Sequence, residues 1–188
     1  MARGRRSALG TPVSGRAAGV YPHRWAIPRD MWARFFESAE HEIGVFAYSA
    51  LFLAEDAGLL DIVADKATSG VKVRLALGDP DSDCIAERGQ DEGIGVAMAA
   101  KVRNALTLFR SVLKCGSIEV RLHRTVLYNS LYRADGQLFV NQHAYGIPAA
   151  HAPLFCFRES GDGDMVRAHL DSFQRVWASA EAIRQRPS

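Results

Sequence analysis

Apolar residues recur along this chain in two rhythms, and the changes between them mark its elements. Met31, Phe35, Ala39 and Ile43 follow a helical spacing, with Trp32 and Phe36 beside them. Pro28, followed by Arg29 and Asp30, reads as the start of that helix. IGVFAYSALFL, residues 43–53, is too continuously apolar for a surface element and reads as a strand. From Gly58 an amphipathic helix runs to a C-terminal glycine at Gly70. VKVRLAL, from Val71, carries the β-branched residues of a strand. Strand, helix and strand joined this closely predict a right-handed βαβ unit and a parallel strand pair.

The second half alternates more quickly. GDPDSD, from Gly78, leaves the strand as a turn, with Asp79 held extended before a proline and Asp81 or Ser82 able to cap the next helix. A longer helix is predicted from about Ile94 to Lys114, striped by Val96, Ala100, Val102, Leu106, Phe109 and Leu113. IEVRLH, TVLYNSLYRA, QLFVNQH and PLFCFRE then read as strands, and Asp135-Gly136 as a hairpin turn between the second and third. Residues from about 163 to 183 form a closing helix with Val166, Leu170, Phe173 and Trp177 on one stripe. This order predicts an α/β domain, a mixed sheet flanked by helices, over residues 20–184. Residues 1–19, rich in Arg, Gly, Ala and Ser without periodicity, read as a disordered basic arm. That arm is either a linker or a nucleic-acid-touching tail through Arg3, Arg5, Arg6 and Arg16.

Composition narrows the function classes. A chain of 188 residues that is 48% hydrophobic supports one ordinary domain with a proper core. A net charge of +2 does not by itself argue for nucleic acid. Cys84, Cys115 and Cys156 are far apart, which fits buried free thiols in a reducing cytoplasm. No Cys or His pair has metal-ligand spacing, and no metal or cofactor is predicted. No apolar run reaches membrane-span length, and no apolar segment of signal-peptide type follows the basic start.

The chemistry concentrates in LYNSLYRADGQLFVNQHAYG, residues 127–146. Faces alternate along a strand, so Tyr128, Ser130 and Tyr132 share one face, and Asn141, His143 and Tyr145 can share another. A core strand is more apolar than this, and a solvated one carries Lys and Glu. A polar, uncharged face predicts a pocket or a tight interface. Asp135 is either a site residue or a turn residue before Gly136. Asp79 and Asp81, at the carboxyl end of a strand, are placed to hold a ribose, an amine or a cation, or simply to cap a helix. Arg74 and Arg121 are candidates for a phosphate or carboxylate contact, or for a salt bridge. His123 and His143 are candidate general bases. Trp25, Trp32 and Trp177 read as core or as a dimer seam.

The same stretch resembles the His-x-Lys-x4-Asp motif of phospholipase D-like proteins, followed by their Gly-Ser-x-Asn. Aligned on Asp135, Tyr128 stands at the His position and Ser130 at the Lys position. More of the chain, VYPHRWAIPRDMW, FLAED, VRLALGDPDS, RLHRTVLYNSLYR, VNQHAYG, APLFCFR and FQRVW, is similar to the C-terminal domain of actinobacterial XRE-type helix-turn-helix transcriptional regulators. That resemblance implies a phospholipase D-like fold and a regulatory role. In the superfamily a His attacks phosphorus and a Lys holds phosphate oxygens, so their replacement implies a catalytically inactive site. Two motifs meet at one site there, so a chain with one motif is expected to be a homodimer. The resemblance further implies a helix-turn-helix domain ahead of this one, whose pattern is missing here, as the route to DNA. The expected partner besides a second copy is a small-molecule effector, with Tyr128, Ser130, Asp135, Asn141, His143, Tyr145, Asp79 and Arg74 as candidate ligand-binding residues. The alternative is a dimeric phosphodiesterase or nuclease with non-standard residues.

Overall fold

A computed structural model describes residues 17–113, 117–159 and 164–183. Eight strands form one mixed sheet: β1 (Ala17–Tyr21), β2 (Glu42–Ala47), β3 (Lys72–Gly78), β4 (Ile118–His123), β5 (Asn129–Ala134), β6 (Gln137–Gln142), β7 (Leu154–Arg158) and β8 (Glu181–Ala182). Their order across the sheet is β1-β7-β6-β5-β2-β3-β4-β8. The helices are α1 (Arg29–Glu37), α2 (Leu51–Glu55), α3 (Ala57–Thr68), α4 (Asp83–Asp91), α5 (Ala97–Phe109) and α6 (Asp164–Ser179). β2, β3 and β4 run parallel, and β5, β6 and β7 form an antiparallel meander against β2. The predicted α/β class and the parallel pair β2–β3 are thus present.

The sheet is buried on both faces because its central strands are apolar at nearly every position. β2 and β3 alternate their side chains between two cores. Ile43, Val45, Val73 and Leu75 pack with Trp32, Phe36 and Leu59 of α1 and α3. Phe46 and Ala76 pack with Ile85, Val102 and Phe173 of α4, α5 and α6. Gly70 sits at φ +95° just past α3, the left-handed position that favours glycine after a helix.

Three expectations change. The apolar run 43–53 is not one strand: β2 stops at Ala47, and Ala50, at φ +49°, turns the chain into α2. Both pieces are apolar at nearly every position, so their composition could not separate a strand from a short helix. The long helix predicted from about Ile94 to Lys114 is shorter, Ala97–Phe109, while the helix expected after Ser82 is α4; Gly93 and Gly95, both at positive φ, separate the two. Order begins before Val20, since Ala17–Tyr21 pairs with β7 as an added edge strand. The rest of the predicted arm, residues 1–16, lies outside the described residues.

Asp135 is the residue that ties the hairpin to the start of β2. It adopts φ +51° in the β5–β6 turn, and its carboxylate accepts hydrogen bonds from the backbone N–H groups of Glu40 (2.7 Å), His41 (3.0 Å) and Glu42 (2.7 Å). Burial would raise its pKa, but those three donors together outweigh burial and hold it below the ordinary 3.8. Asp135→Ala is expected to lower stability by about 2 kcal/mol, since partial exposure softens the loss of charge-assisted bonds. Its pH dependence has a defined sign. A depressed carboxyl stabilises above its unfolded pKa, and that contribution fades as pH falls below about 4. Urea denaturation of wild type and variant checks both; equal stabilities at neutral pH would show that the three N–H groups find water at no cost.

Candidate functional site

A cavity of about 250 Å³ opens where β2 ends, among residues 47–52, the start of β5 and the segment after β6. Parallel α/β sheets place ligands at the carboxyl ends of their strands, and β2 marks the border between the parallel and antiparallel parts of this sheet. Ala50, one of only two non-glycine residues at positive φ among the described residues, lies in its wall.

Ser130 and His143 form one side of the cavity. His143 Nδ1 lies 3.1 Å from the Leu127 carbonyl oxygen, which can only accept, so Nδ1 carries the proton. Nε2 is therefore the acceptor for the Ser130 hydroxyl at 2.9 Å. The imidazole stacks on Tyr48, with 5.6 Å between ring centres and 19° between planes. Burial, and then the charge of Arg88, push the His143 pKa down to about 4. His123, just below, is held the same way by burial at about 4, with Nε2 toward the Ala47 carbonyl (3.3 Å) and Nδ1 accepting from Thr125 N–H (3.2 Å). The Ser130–His143 pair has the spacing of a nucleophile and its base, but a base titrating near 4 cannot usefully hold the serine proton at neutral pH. What the pair does is present a neutral, oriented polar surface.

The remaining walls come from Arg24, Arg88 and Tyr48, which sequence reasoning missed, and from Tyr132, which it placed on the face of Ser130 without a site role. Arg24 lays its guanidinium 4.2 Å over the Phe52 ring. Arg88 is buried, bound to Glu92 at 2.6 Å and donating to the Ile147 carbonyl at 3.0 Å. Tyr48 accepts from Leu127 N–H through its hydroxyl at 2.8 Å; burial foremost raises its pKa, so the phenol stays protonated. Tyr132 is wholly buried, packed edge-on to Trp32 at 4.9 Å. Arg24 Nε and the Tyr132 hydroxyl are buried without a well-aligned hydrogen bond, and the Tyr132 hydroxyl lies beside the Arg24 and Ser130 side chains. Nothing local marks Arg24 in the sequence, whereas Tyr132 stood on the polar face of Ser130.

The candidate residues therefore scatter. Only Ser130 and His143 line the cavity. Asn141 is completely buried beside Ser130, the two paired across β5 and β6. Its Nδ2 donates to the carbonyls of Ala152 (3.1 Å) and Pro153 (3.0 Å), while Oδ1 is unpartnered. Tyr128 and Tyr145 are 82% and 86% exposed. Asp135 serves the turn described above. Asp79 accepts from Asp81 N–H (3.0 Å) and from Arg124 (2.8 Å), which holds the loop, while Ser82 at the start of α4 turns its hydroxyl back to the Asp79 carbonyl and makes no side-chain cap. Arg74 is spent on Glu42, Gln174 and the rings of α6, on the opposite face of the sheet from Tyr132. Trp32 and Trp177 are core, but Trp25 is 70% exposed and stands in the cavity wall. Cys84 and Cys156 are buried free thiols, and burial pushes Cys156 up to about 11; Cys115 lies outside the described residues. Among the described residues no helix is long and apolar enough to cross a membrane.

With this geometry in place, comparison with known proteins adds the fold. No protein-family model matches the chain. No curated protein matches it in sequence. Solved structures do. NucT from Helicobacter pylori superposes with a TM-score of 0.54 at 13% identity, over 88% of this chain and 96% of that one.

The fold is shared with NucT. TrmBL2, an archaeal chromatin protein whose structure shows a mode of DNA binding, superposes with a TM-score of 0.55 at 16% identity. That match covers 94% of this chain, which spans only 56% of TrmBL2. Nuc from Salmonella typhimurium, a phospholipase D family member, gives 0.49 at 15% identity, over 84% and 91% of the two chains.

Proposed function

We propose that this domain is a phospholipase D-like module that no longer cleaves phosphodiesters and instead senses a small molecule, as part of a transcriptional regulator that works as a homodimer. The observation that carries the reading is the cavity itself. It sets a neutral Ser130–His143 pair beside Arg24, Tyr48 and Trp25, polar and aromatic groups suited to lining a ligand site, and it lacks a nucleophile with a competent base. Tyr128, at the motif position of the attacking residue, sits exposed and outside the cavity wall. The regulatory context rests on the resemblance in sequence, and the fold shared with a DNA-binding chromatin protein is compatible with it. A dimer seam is supported by four exposed apolar side chains, Val126, Tyr128, Tyr145 and Ile147, from the two segments that flank the Tyr128–His143 backbone hydrogen bond.

The expected results are no turnover of bis(4-nitrophenyl) phosphate, a dimer mass by light scattering at tens of micromolar, and a rise in melting temperature with at least one member of a metabolite library. Removing phosphate-handling groups of this kind typically costs several kcal/mol of transition-state stabilisation, enough to abolish detectable turnover. Phosphodiester hydrolysis that disappears in a Tyr128→Phe or His143→Gln variant would replace this reading with the dimeric phosphodiesterase. Sequence-specific DNA binding is not expected of residues 20–184 alone, and a gel shift that survives moderate salt would count against the separate DNA-binding domain.

A further inference from the structure

Two short segments carry the exposed apolar residues of the dimer seam: residues 126–128 with Val126 and Tyr128, and residues 145–147 with Tyr145 and Ile147. Neither segment belongs to a helix or a strand. Side chains of the cavity wall hold both. Tyr48, Arg88 and His143 line the cavity, and each bonds a backbone group of one segment. His143 Nδ1–H donates to the Leu127 carbonyl at 3.1 Å, and the Tyr48 hydroxyl accepts the Leu127 N–H at 2.8 Å. The backbone N–H of His143 donates to the Tyr128 carbonyl at 2.9 Å. Arg88 Nη2 donates to the Ile147 carbonyl at 3.0 Å.

These three side chains also pack on one another. The His143 and Tyr48 rings stack with 5.6 Å between centres, and the Arg88 guanidinium lies 5.8 Å from the centre of the Tyr48 ring. One connected stack therefore borders the cavity and carries both seam segments. Side chains that border a cavity lack packed atoms on that side, and so lack the contacts that hold a fully packed layer in place. We propose that the stack of Arg88, Tyr48 and His143 couples the cavity to the seam: a group that fills the cavity holds the stack, fixes residues 126–128 and 145–147, and tightens the homodimer. This rests on the sensing and dimer reading above and names how the first acts on the second. By linkage, whatever tightens the dimer from the cavity also binds the dimer more tightly than the monomer.

A purely structural role makes a different prediction. If the three side chains only pin two loops, those loops are held equally well whatever the cavity contains, and the dimer does not respond to its filling. The test therefore fills the cavity by covalent attachment. Ala150 lines it, so Ala150→Cys places a thiol in the wall. Benzyl methanethiosulfonate then attaches a benzylthio group to that thiol. Mass spectrometry measures the extent of labelling, and wild type treated in the same way accounts for the native cysteines.

Sedimentation equilibrium of the full chain is expected to give a dimer dissociation constant at least about tenfold lower for labelled than for unlabelled Ala150→Cys. Arg88→Lys keeps a cation beside Glu92 but loses the guanidinium fork that reaches the Ile147 carbonyl as well. In that background the difference is expected to shrink below about threefold. Tyr48→Phe keeps the ring and loses only the acceptor for Leu127 N–H, and it is expected to give the same shrinkage where Arg88→Lys does not fold. Equal constants for labelled and unlabelled protein would overturn the coupling and leave both the cavity and the dimer standing. A tenfold difference that persists in the variants would overturn the stack as its route. A chain that stays monomeric in every state removes the seam, and this inference with it.

Discussion

Replacing Glu42 by alanine is expected to destabilise the fold by about 3–5 kcal/mol, among the largest single effects outside the apolar core. Glu42 begins β2, and its carboxylate takes two guanidinium groups at once, Arg74 from β3 and Arg133 from β5 at 2.6 Å. The Glu42 and Arg74 side chains are only 16% and 6% exposed. Arg74 also donates to Gln174 at 2.9 Å and lies 4.8 Å from the Phe173 ring and 5.3 Å from Trp177, which docks α6 against the sheet. Removing the acid leaves two cations facing each other, one of them with no route to water. The energy lost reflects that stranded charge more than the value of the pair, because burying three ionic groups carries its own desolvation cost. A double variant, Glu42→Leu with Arg74→Met, is therefore expected to recover most of the loss. Urea denaturation of the three proteins measures this, and a loss below about 1 kcal/mol for Glu42→Ala would show that Arg74 re-solvates freely.

The second large effect is a loss of stability in mild acid. His123 and His143 titrate near 4 in the folded protein, where an ordinary histidine titrates near 6.5. Burial is the main cause for both, and Arg88 adds to it at His143. With the folded pKa below the unfolded one, the unfolded chain takes up protons first as pH falls. Stability is full above about pH 7 and is lost progressively between about 6.5 and 4. The linkage relation gives about 2 kcal/mol per histidine at pH 5, or about 4 kcal/mol for the pair. Asp135 and Asp56, whose pKa values are depressed, contribute only at still lower pH. His143→Gln is expected to remove about half of the difference in unfolding free energy between pH 7.5 and pH 5. A wild-type difference under about 1 kcal/mol would mean that the imidazoles are reached by water in the folded state.

Much of the architecture could be read from the residues because its signals are local. The start of α1 at Pro28, the end of α3 at Gly70, the bounds of β4 and the Asp135-Gly136 turn all follow from backbone preferences that a residue carries wherever it stands. The run from Ile43 to Leu53 resisted because a continuously apolar stretch carries no periodicity to separate strand from helix, and the left-handed turn at Ala50 has no glycine to announce it. β1 was hidden for another reason: an edge strand of small residues has no apolar pattern and exists only because β7 offers it hydrogen bonds.

The functional site divides along the same line. Residue chemistry alone marked the hairpin as polar where a core strand should be apolar, and Ser130 and His143 were legible from it. Whether a polar side chain faces a cavity, a turn or water depends on what packs over it. Asp135, Asn141 and Arg74 spend their groups on neighbours up to 100 positions away in the chain. Arg24 and Tyr132 become notable only because the tertiary structure brings them together beside Ser130 in the cavity wall. Sequence determined which groups were available and which elements carried them. Only the packing of Arg24, near the amino terminus, against α2 and β5 decided which groups would meet in one cavity wall, because a wall is made by neighbours in space and not in sequence.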